Sequence, residues 1–121
     1  SDVTEAAQRW FVERLGAAEG AEARAYLARR GVSEATARAF GFGYAPDQRQ
    51  ALKAALPFDE ALLAEAGMRI APEGSDKEPY DRFRGRLMLP IQDARGRVIA
   101  FGGRTLAKDA GGAKDLNSPD T

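Results

Sequence analysis

Six arginines and a single acid lie between Arg82 and Leu106, inside the segment Tyr80–Leu106, YDRFRGRLMLPIQDARGRVIAFGGRTL. A guanidinium group presents a fixed planar fork of N–H donors that matches phosphate oxygens, so the first chemistry these residues suggest is recognition of a polyanion. The charge is local. The chain carries 18 basic and 18 acidic residues, yet residues 1–81 hold ten bases against fourteen acids and residues 82–121 hold eight against four. Such asymmetry bears on partners and not on fold. A solvated basic hairpin is the plainer account of the same residues, and charge alone does not separate the two.

The residue types that are missing narrow the chemistry further. The 121 residues include no Cys and no His. That removes thiolate and imidazole zinc sites, cysteine nucleophiles, histidine triads and disulfides, and the lack of disulfides suits a reducing compartment. Asp76, Glu78 and Asp81 are the nearest approach to a metal-binding cluster. They sit on or beside the polar Pro/Gly loop 71–79, APEGSDKEP, where solvated carboxylates are the expectation. No catalytic acid/base pair stands out, so no residue is assigned a catalytic or a metal role. No apolar run approaches the ~18 residues that span a bilayer, and the N-terminus lacks a signal-peptide core. The expectation is a soluble intracellular domain occupying residues 1–121, with Ser1 and Thr121 cut from something longer.

The elements that must position the arginines fall into two halves. From residue 2 to about residue 66 the apolar spacing is helical. Asp2 or Thr4 can cap a helix ending at Gly16, with Ala6, Trp10, Val12 and Leu15 near 3.6-residue spacing. A second helix over Ala21–Arg30 places Ala23, Tyr26 and Leu27 on one face, and Ser33 caps a third over Glu34–Phe40. Helix–Gly–Val–Ser–helix resembles a helix-turn-helix, although its second helix offers only Arg38 to a base edge. Phe42–Ala45 reads as a short strand closed by Pro46. Helices follow near Gln48–Ala55 and Asp59–Ala66, the latter without a clean cap. Trp10, Phe11, Phe40 and Phe42 read as core aromatics. Neither Gly41-Phe-Gly-Tyr nor Phe101-Gly-Gly-Arg has the spacing of a phosphate-binding loop.

After Tyr80 the period changes from 3.6 to 2. Arg86–Ile91 and Arg97–Gly103 read as strands joined by the turn Asp93-Ala94-Arg95-Gly96. That register pairs Ile91 with Val98, Leu89 with Ala100 and Leu87 with Gly102, and makes theirs the core face. Met88, Ile99 and Phe101 fall on an opposite face that is half covered. Arg82, Arg84 and Arg104 sit at the hairpin's open end, where they could converge. Gly102-Gly103 admits close approach of backbone or ligand, or marks a β-bulge. The predicted fold class is α+β, with N-terminal helices packed on a small, mainly antiparallel sheet built around this hairpin.

Four segments, in order along the chain, resemble the bacterial DnaG-type replicative primases, in the N-terminal part of their RNA-polymerase core. They are Tyr26-Leu-Ala-Arg-Arg-Gly-Val-Ser33 with Phe40-Gly-Phe-Gly-Tyr-Ala-Pro46, then Tyr80-Asp-Arg-Phe-Arg-Gly-Arg-Leu-Met-Leu-Pro-Ile91, then Arg95-Gly-Arg-Val-Ile-Ala-Phe-Gly-Gly-Arg104, and finally Leu116-Asn-Ser-Pro-Asp-Thr121. The resemblance implies a subdomain of a DNA primase, a DNA-directed RNA polymerase of the cytoplasm, with no membrane partner. In that family a zinc-binding domain precedes the core and a helicase-binding domain follows it. The Mg²⁺ or Mn²⁺ carboxylates lie in a TOPRIM fold beyond this segment, so no cofactor is expected within it and the segment alone is expected to make no primer. The implied partners are single-stranded DNA template, RNA primer, ribonucleotides and, through the absent C-terminal domain, the replicative helicase. Arg30, Arg82, Arg84, Arg104 and Lys114 are the implied phosphate-directed residues, with Asn117 in the matching terminal motif. A stand-alone, non-catalytic single-strand-binding module of the same fold is the alternative. The chain departs from the family in two places. Asp115 stands where an aromatic usually follows the lysine, and Leu89 stands where Phe usually precedes the proline.

Overall fold

A four-residue repeat fixes the first helix. Val3, Ala7, Phe11 and Leu15 are buried along α1 (Asp2–Gly16), because positions four apart share a face. The stripe is turned by one residue from the expected set, since Ala6, Trp10 and Val12 lie on its half-buried flank. Phe11 takes the centre, meeting Phe101 edge to face with ring centroids 5.2 Å apart. Trp10, with an N–H to satisfy, is better placed at the margin. The computed structural model describes residues 2–74, 76–106 and 115–117.

After a 3-10 turn at Ala18–Gly20, α2 (Ala21–Arg29) buries Ala23 and Leu27. Ser33 caps α3 (Glu34–Phe40), its hydroxyl accepting the Thr36 N–H at 3.1 Å. Phe40 is not a core residue. It is 65% exposed at the end of α3 and stacks on half-buried Phe42, with centroids 6.3 Å apart. β1 (Gly43–Ala45) follows, then α4 (Ala51–Ala55) and α5 (Glu60–Glu65). The cap of α5 is clean after all, because the Asp59 carboxylate accepts the Leu62 N–H at 2.9 Å. A two-residue strand pair, β2 (Arg69–Ile70) with β3 (Tyr80–Asp81), has too few residues to show a period and was not legible as strands.

The main sheet has the order β1-β4-β5-β6, built from β1, β4 (Arg86–Gln92), β5 (Val98–Thr105) and β6 (Asp115–Asn117). Every pairing is antiparallel, so the α+β expectation holds. The hairpin register does not. Ile91 pairs with Ala100, Leu89 with Gly102 and Leu87 with Arg104, two residues beyond the expected partners. One residue of that slip comes from the turn. Gly96 takes a left-handed φ of 80°, and the Asp93 N–H bonds the Arg97 carbonyl, which closes a three-residue loop. The other comes from an irregularity between Ile91 and Gln92, where Ile99 is the extra residue of a β-bulge.

The choice of core face is corrected as well. Met88 and Phe101, expected to be half covered, are fully buried with Phe11, Ala45, Leu63, Met68 and Phe83 in the larger core cluster. Leu87 belongs to a second cluster with Leu15, Ala23, Leu27 and Ala37, while Ile91 is 40% exposed. Both sheet faces are therefore covered near Leu87 and Met88, where alternation in sequence cannot rank them. The slip also carries Arg104 onto the same cross-strand row as Tyr44 and Leu87.

Candidate nucleic-acid interface

The arginine-rich segment hangs from a buried ion pair. Arg69 and Asp81, partners in the β2–β3 ladder, have side chains 2% and 4% exposed, and Arg69 Nη1 donates to Asp81 Oδ1 at 2.7 Å. The second Asp81 oxygen accepts the Leu52 N–H at 2.7 Å and so caps α4. Arg69 also forks onto Glu60, its Nε and Nη2 each donating at 3.0 Å. Burial, the largest influence on Arg69, works against its charge, yet the hydrogen bonds to Glu60 and Asp81 hold its pKa above the ordinary value. The hydrogen bond from Arg69 lowers that of Glu60. Asp81 is thus neither solvated nor part of a metal cluster. Its role is to fix the start of the Arg82–Arg86 run, which its neighbours in sequence gave no means of reading.

Tyr26 joins two of the expected site residues. The Arg30 guanidinium carbon stands 4.7 Å from the centroid of the Tyr26 ring, while Arg104 Nε donates to the Tyr26 hydroxyl at 2.8 Å. Arg30 is reachable because Tyr26 lies four residues before it, at the end of α2, and such positions meet on a helix surface. Arg104 arrives from β5 through the shifted register. The β1 tyrosine on the same row, Tyr44, is pushed above its ordinary pKa by burial and then by Asp47, Glu22 and Glu19, so it stays a neutral hydroxyl.

Arg82 and Arg84 each stand beside an aromatic ring. Arg82 Cζ lies 5.7 Å from the centroid of the buried Phe83 ring, and Arg84 Cζ lies 4.8 Å from that of Tyr80. Arg49, which sequence reasoning missed, shares the Tyr80 ring at 4.4 Å. Nothing at the sequence level links Arg49 to a tyrosine 31 residues away, whereas the Tyr26–Arg30 spacing was a usable signal. Gly103 pairs regularly with Met88, away from the β-bulge. A Cβ there would stand 2.8 Å from Phe83 Cδ1 and 3.2 Å from Arg86 Cδ, so the missing side chain is what lets the Phe83 ring lie against β5. Asn117 pairs with Gly102 and Asp115 with Arg104 along β6. Lys114 lies outside the described residues.

Among the described residues no group of three or more His, Cys, Asp or Glu is placed to hold a metal ion, and no helix is long and apolar enough to cross a membrane. What this region offers is guanidinium groups set on aromatic rings, an arrangement whose charge and N–H donors suit phosphate oxygens.

Residues 10–121 match the family described as the DNA primase catalytic core, N-terminal domain. The chain belongs to this family. A DNA primase of Neisseria meningitidis serogroup A is 48% identical over 100 residues, covering 82% of this chain but only 16% of that protein. A DnaG primase catalytic domain bound to single-stranded DNA superposes with a TM-score of 0.87 and 35% identity over 99% of this chain and 37% of its own. The RNA polymerase domain of Mycobacterium tuberculosis DnaG, in complex with double-stranded DNA bearing a 6-nucleotide overhang, gives 0.89 and 35% over 99% and 38%. This primase subdomain therefore spans about a sixth of the length of that curated relative.

Proposed function

We propose that this primase subdomain, acting as one unit over residues 1–121, supplies the basic wall that holds single-stranded template and nucleotide phosphates while RNA primers are polymerised. The observation that carries the reading is the Arg30–Tyr26–Arg104 junction, where two guanidinium groups from opposite halves of the chain meet on one tyrosine. Arg82 and Arg84 extend the wall, and Lys114 and Asn117, from the family's terminal motif, contribute to the same binding. In this reading the metal chemistry is done elsewhere in the enzyme, by Mg²⁺ or Mn²⁺ on carboxylates of a TOPRIM fold, with Zn²⁺ in an upstream domain and the helicase held by a downstream one. The partners are the single-stranded DNA template, the RNA primer and ribonucleotides, in the bacterial cytoplasm.

Fluorescence anisotropy of a labelled single strand across a salt series tests the reading. Each phosphate contact on a single strand contributes about −0.7 to the slope of log K against log salt. Arg30→Ala, Arg82→Ala, Arg84→Ala and Arg104→Ala should each flatten the slope by about that amount. Arg95, exposed at the hairpin tip, should leave it unchanged when replaced by Ala. Equal weakening by Arg95→Ala and Arg84→Ala would show a diffuse field instead of a site, and would overturn the proposal.

A further inference from the structure

The Tyr80 ring carries two cations. Arg49 Cζ stands 4.4 Å and Arg84 Cζ 4.8 Å from its centroid, so charges from two distant segments are held within one ring of each other. Arg14, Arg69 and Arg97 each have a carboxylate partner, but among the described residues neither Arg49 nor Arg84 makes an ion pair. The nearest acid along the loop is Asp47. It is exposed and packs its side chain against Gly85, with Cγ 3.3 Å from where a Cβ would stand. The ring quadrupole attracts each cation but does not cancel their mutual repulsion, and an anion between or beside them would.

The loop that presents Arg49 is built to hold its place. The Arg49 carbonyl accepts the Asp81 N–H at 2.7 Å and Arg69 Nη1 at 3.0 Å. Gln50 Nε2 donates to the Pro79 carbonyl at 2.9 Å, just before Tyr80. Ring and loop therefore hang from the same buried Arg69–Asp81 pair, while the Arg49 side chain remains exposed. Two guanidinium groups on one ring, Arg49 exposed and Arg84 half-buried, neither with a carboxylate, form the arrangement expected of a phosphate clamp, since part of the ordering cost is met before the ligand arrives.

We propose that Arg49 and Arg84, spaced by Tyr80, clamp a backbone phosphate of a single-stranded nucleic acid, extending the binding wall from the hairpin end onto the loop before α4. The proposal rests on the single-strand-binding reading above, and the test separates the two. Binding of a labelled oligodeoxythymidine to the 121-residue chain is titrated across a sodium chloride series for Arg49→Gln, Arg49→Ala, Asp47→Asn and, as reference, Arg104→Ala. Both Arg49 variants should weaken binding several-fold at low salt and flatten the salt slope by about 0.7. Asp47→Asn should tighten binding by removing the neighbouring negative charge. Melting temperatures taken alongside distinguish a contact from a fold effect. If the Arg49 variants keep the wild-type slope while Arg104→Ala flattens it, the clamp is wrong and the wider reading stands, whatever happens to the melting temperature. If none of these arginine variants alters the slope, the clamp and the single-strand reading fall together.

Discussion

Arg104 donates through Nε to the hydroxyl of Tyr26 at 2.8 Å, across a separation of 78 residues. The contact ties the sheet to α2 at the point where Arg30 lies over the same ring. It exists because the hairpin register is displaced by two residues, which brings Arg104 opposite Leu87 on the face that α2 covers. A tyrosine ring and hydroxyl thereby set the relative positions of two guanidinium groups that the chain itself holds far apart.

Removing only the hydroxyl separates these two functions. Tyr26→Phe keeps the ring under Arg30 and deletes the acceptor for Arg104. A hydrogen bond to a charged group in a partly buried place contributes about 1.5–3 kcal/mol at most, and exposure lowers that figure. The variant should lose about 1 kcal/mol in denaturant titration. It should also weaken single-strand binding less than Arg104→Ala does. Weakening equal to that of Arg104→Ala would mean that the arginine works only when held by the hydroxyl.

The buried pair gives a larger effect. Asp81→Ala leaves Arg69 charged, nearly enclosed and bound only to Glu60 and the Arg49 carbonyl, and it uncaps Leu52. Breaking a buried ion pair from one side typically costs about 3–5 kcal/mol. Arg69→Met combined with Asp81→Leu should recover part of this, because the stranded charge is gone. Recovery should be incomplete, since the Leu52 N–H still lacks its cap. Chemical denaturation of Arg69→Met, Asp81→Leu and the double variant measures the coupling.

The sign of the acid response follows from Glu60. Its pKa is lowered in the folded protein by the hydrogen bond from Arg69, so the folded state binds a proton less readily than the unfolded state. The stabilisation is fully present above the unfolded value of about 4.3 and is lost as the pH falls through the lower folded value. Glu60→Gln should therefore melt below wild type at neutral pH and draw level with it as the pH falls through the lowered folded value of Glu60. The side chain is 36% exposed, so solvent screening keeps the difference small. Melting curves from about pH 7 to about pH 3 would show the convergence, and a constant offset would rule out the ion pair as its source.

How far the sequence could be read depended on whether a signal was local. Ser33 and Gly41 bound α3 as expected, because a cap and a terminator act within one turn of chain. The α+β class was legible from the change of period at Tyr80. The hairpin register was not, because Asp93–Gly96 fits either a tight four-residue turn or the three-residue loop with left-handed Gly96 that is found. The bulge at Ile99 leaves no mark in a strand that is apolar on both faces. Of the site, Arg30, Arg82, Arg84 and Arg104 were named from family motifs. Tyr26 and Tyr80 each lie four residues before an arginine they hold, Arg30 and Arg84, a local spacing; their contacts with Arg104 and Arg49 join distant segments that composition does not encode.

Gly103 tests whether that packing matters to the interface. A methyl group at this position would stand 2.8 Å from Phe83 Cδ1, and Phe83 is buried among core residues with little room to retreat. Overpacking of this kind costs about 1–3 kcal/mol, so Gly103→Ala should be measurably less stable than wild type. The displaced ring carries Arg82 and Arg84 on either side of it in sequence, while Arg104 adjoins Gly103 itself. A shift of the ring therefore moves the two groups of arginines relative to each other. Single-strand affinity should fall although no charge has changed, and the salt slope should fall only if a phosphate contact is lost. Adding Phe83→Leu, which shortens the side chain at the clash, should restore part of the stability. Recovery of stability without recovery of affinity would identify the Phe83 ring as the spacer that keeps Arg82 and Arg84 in register with Arg104.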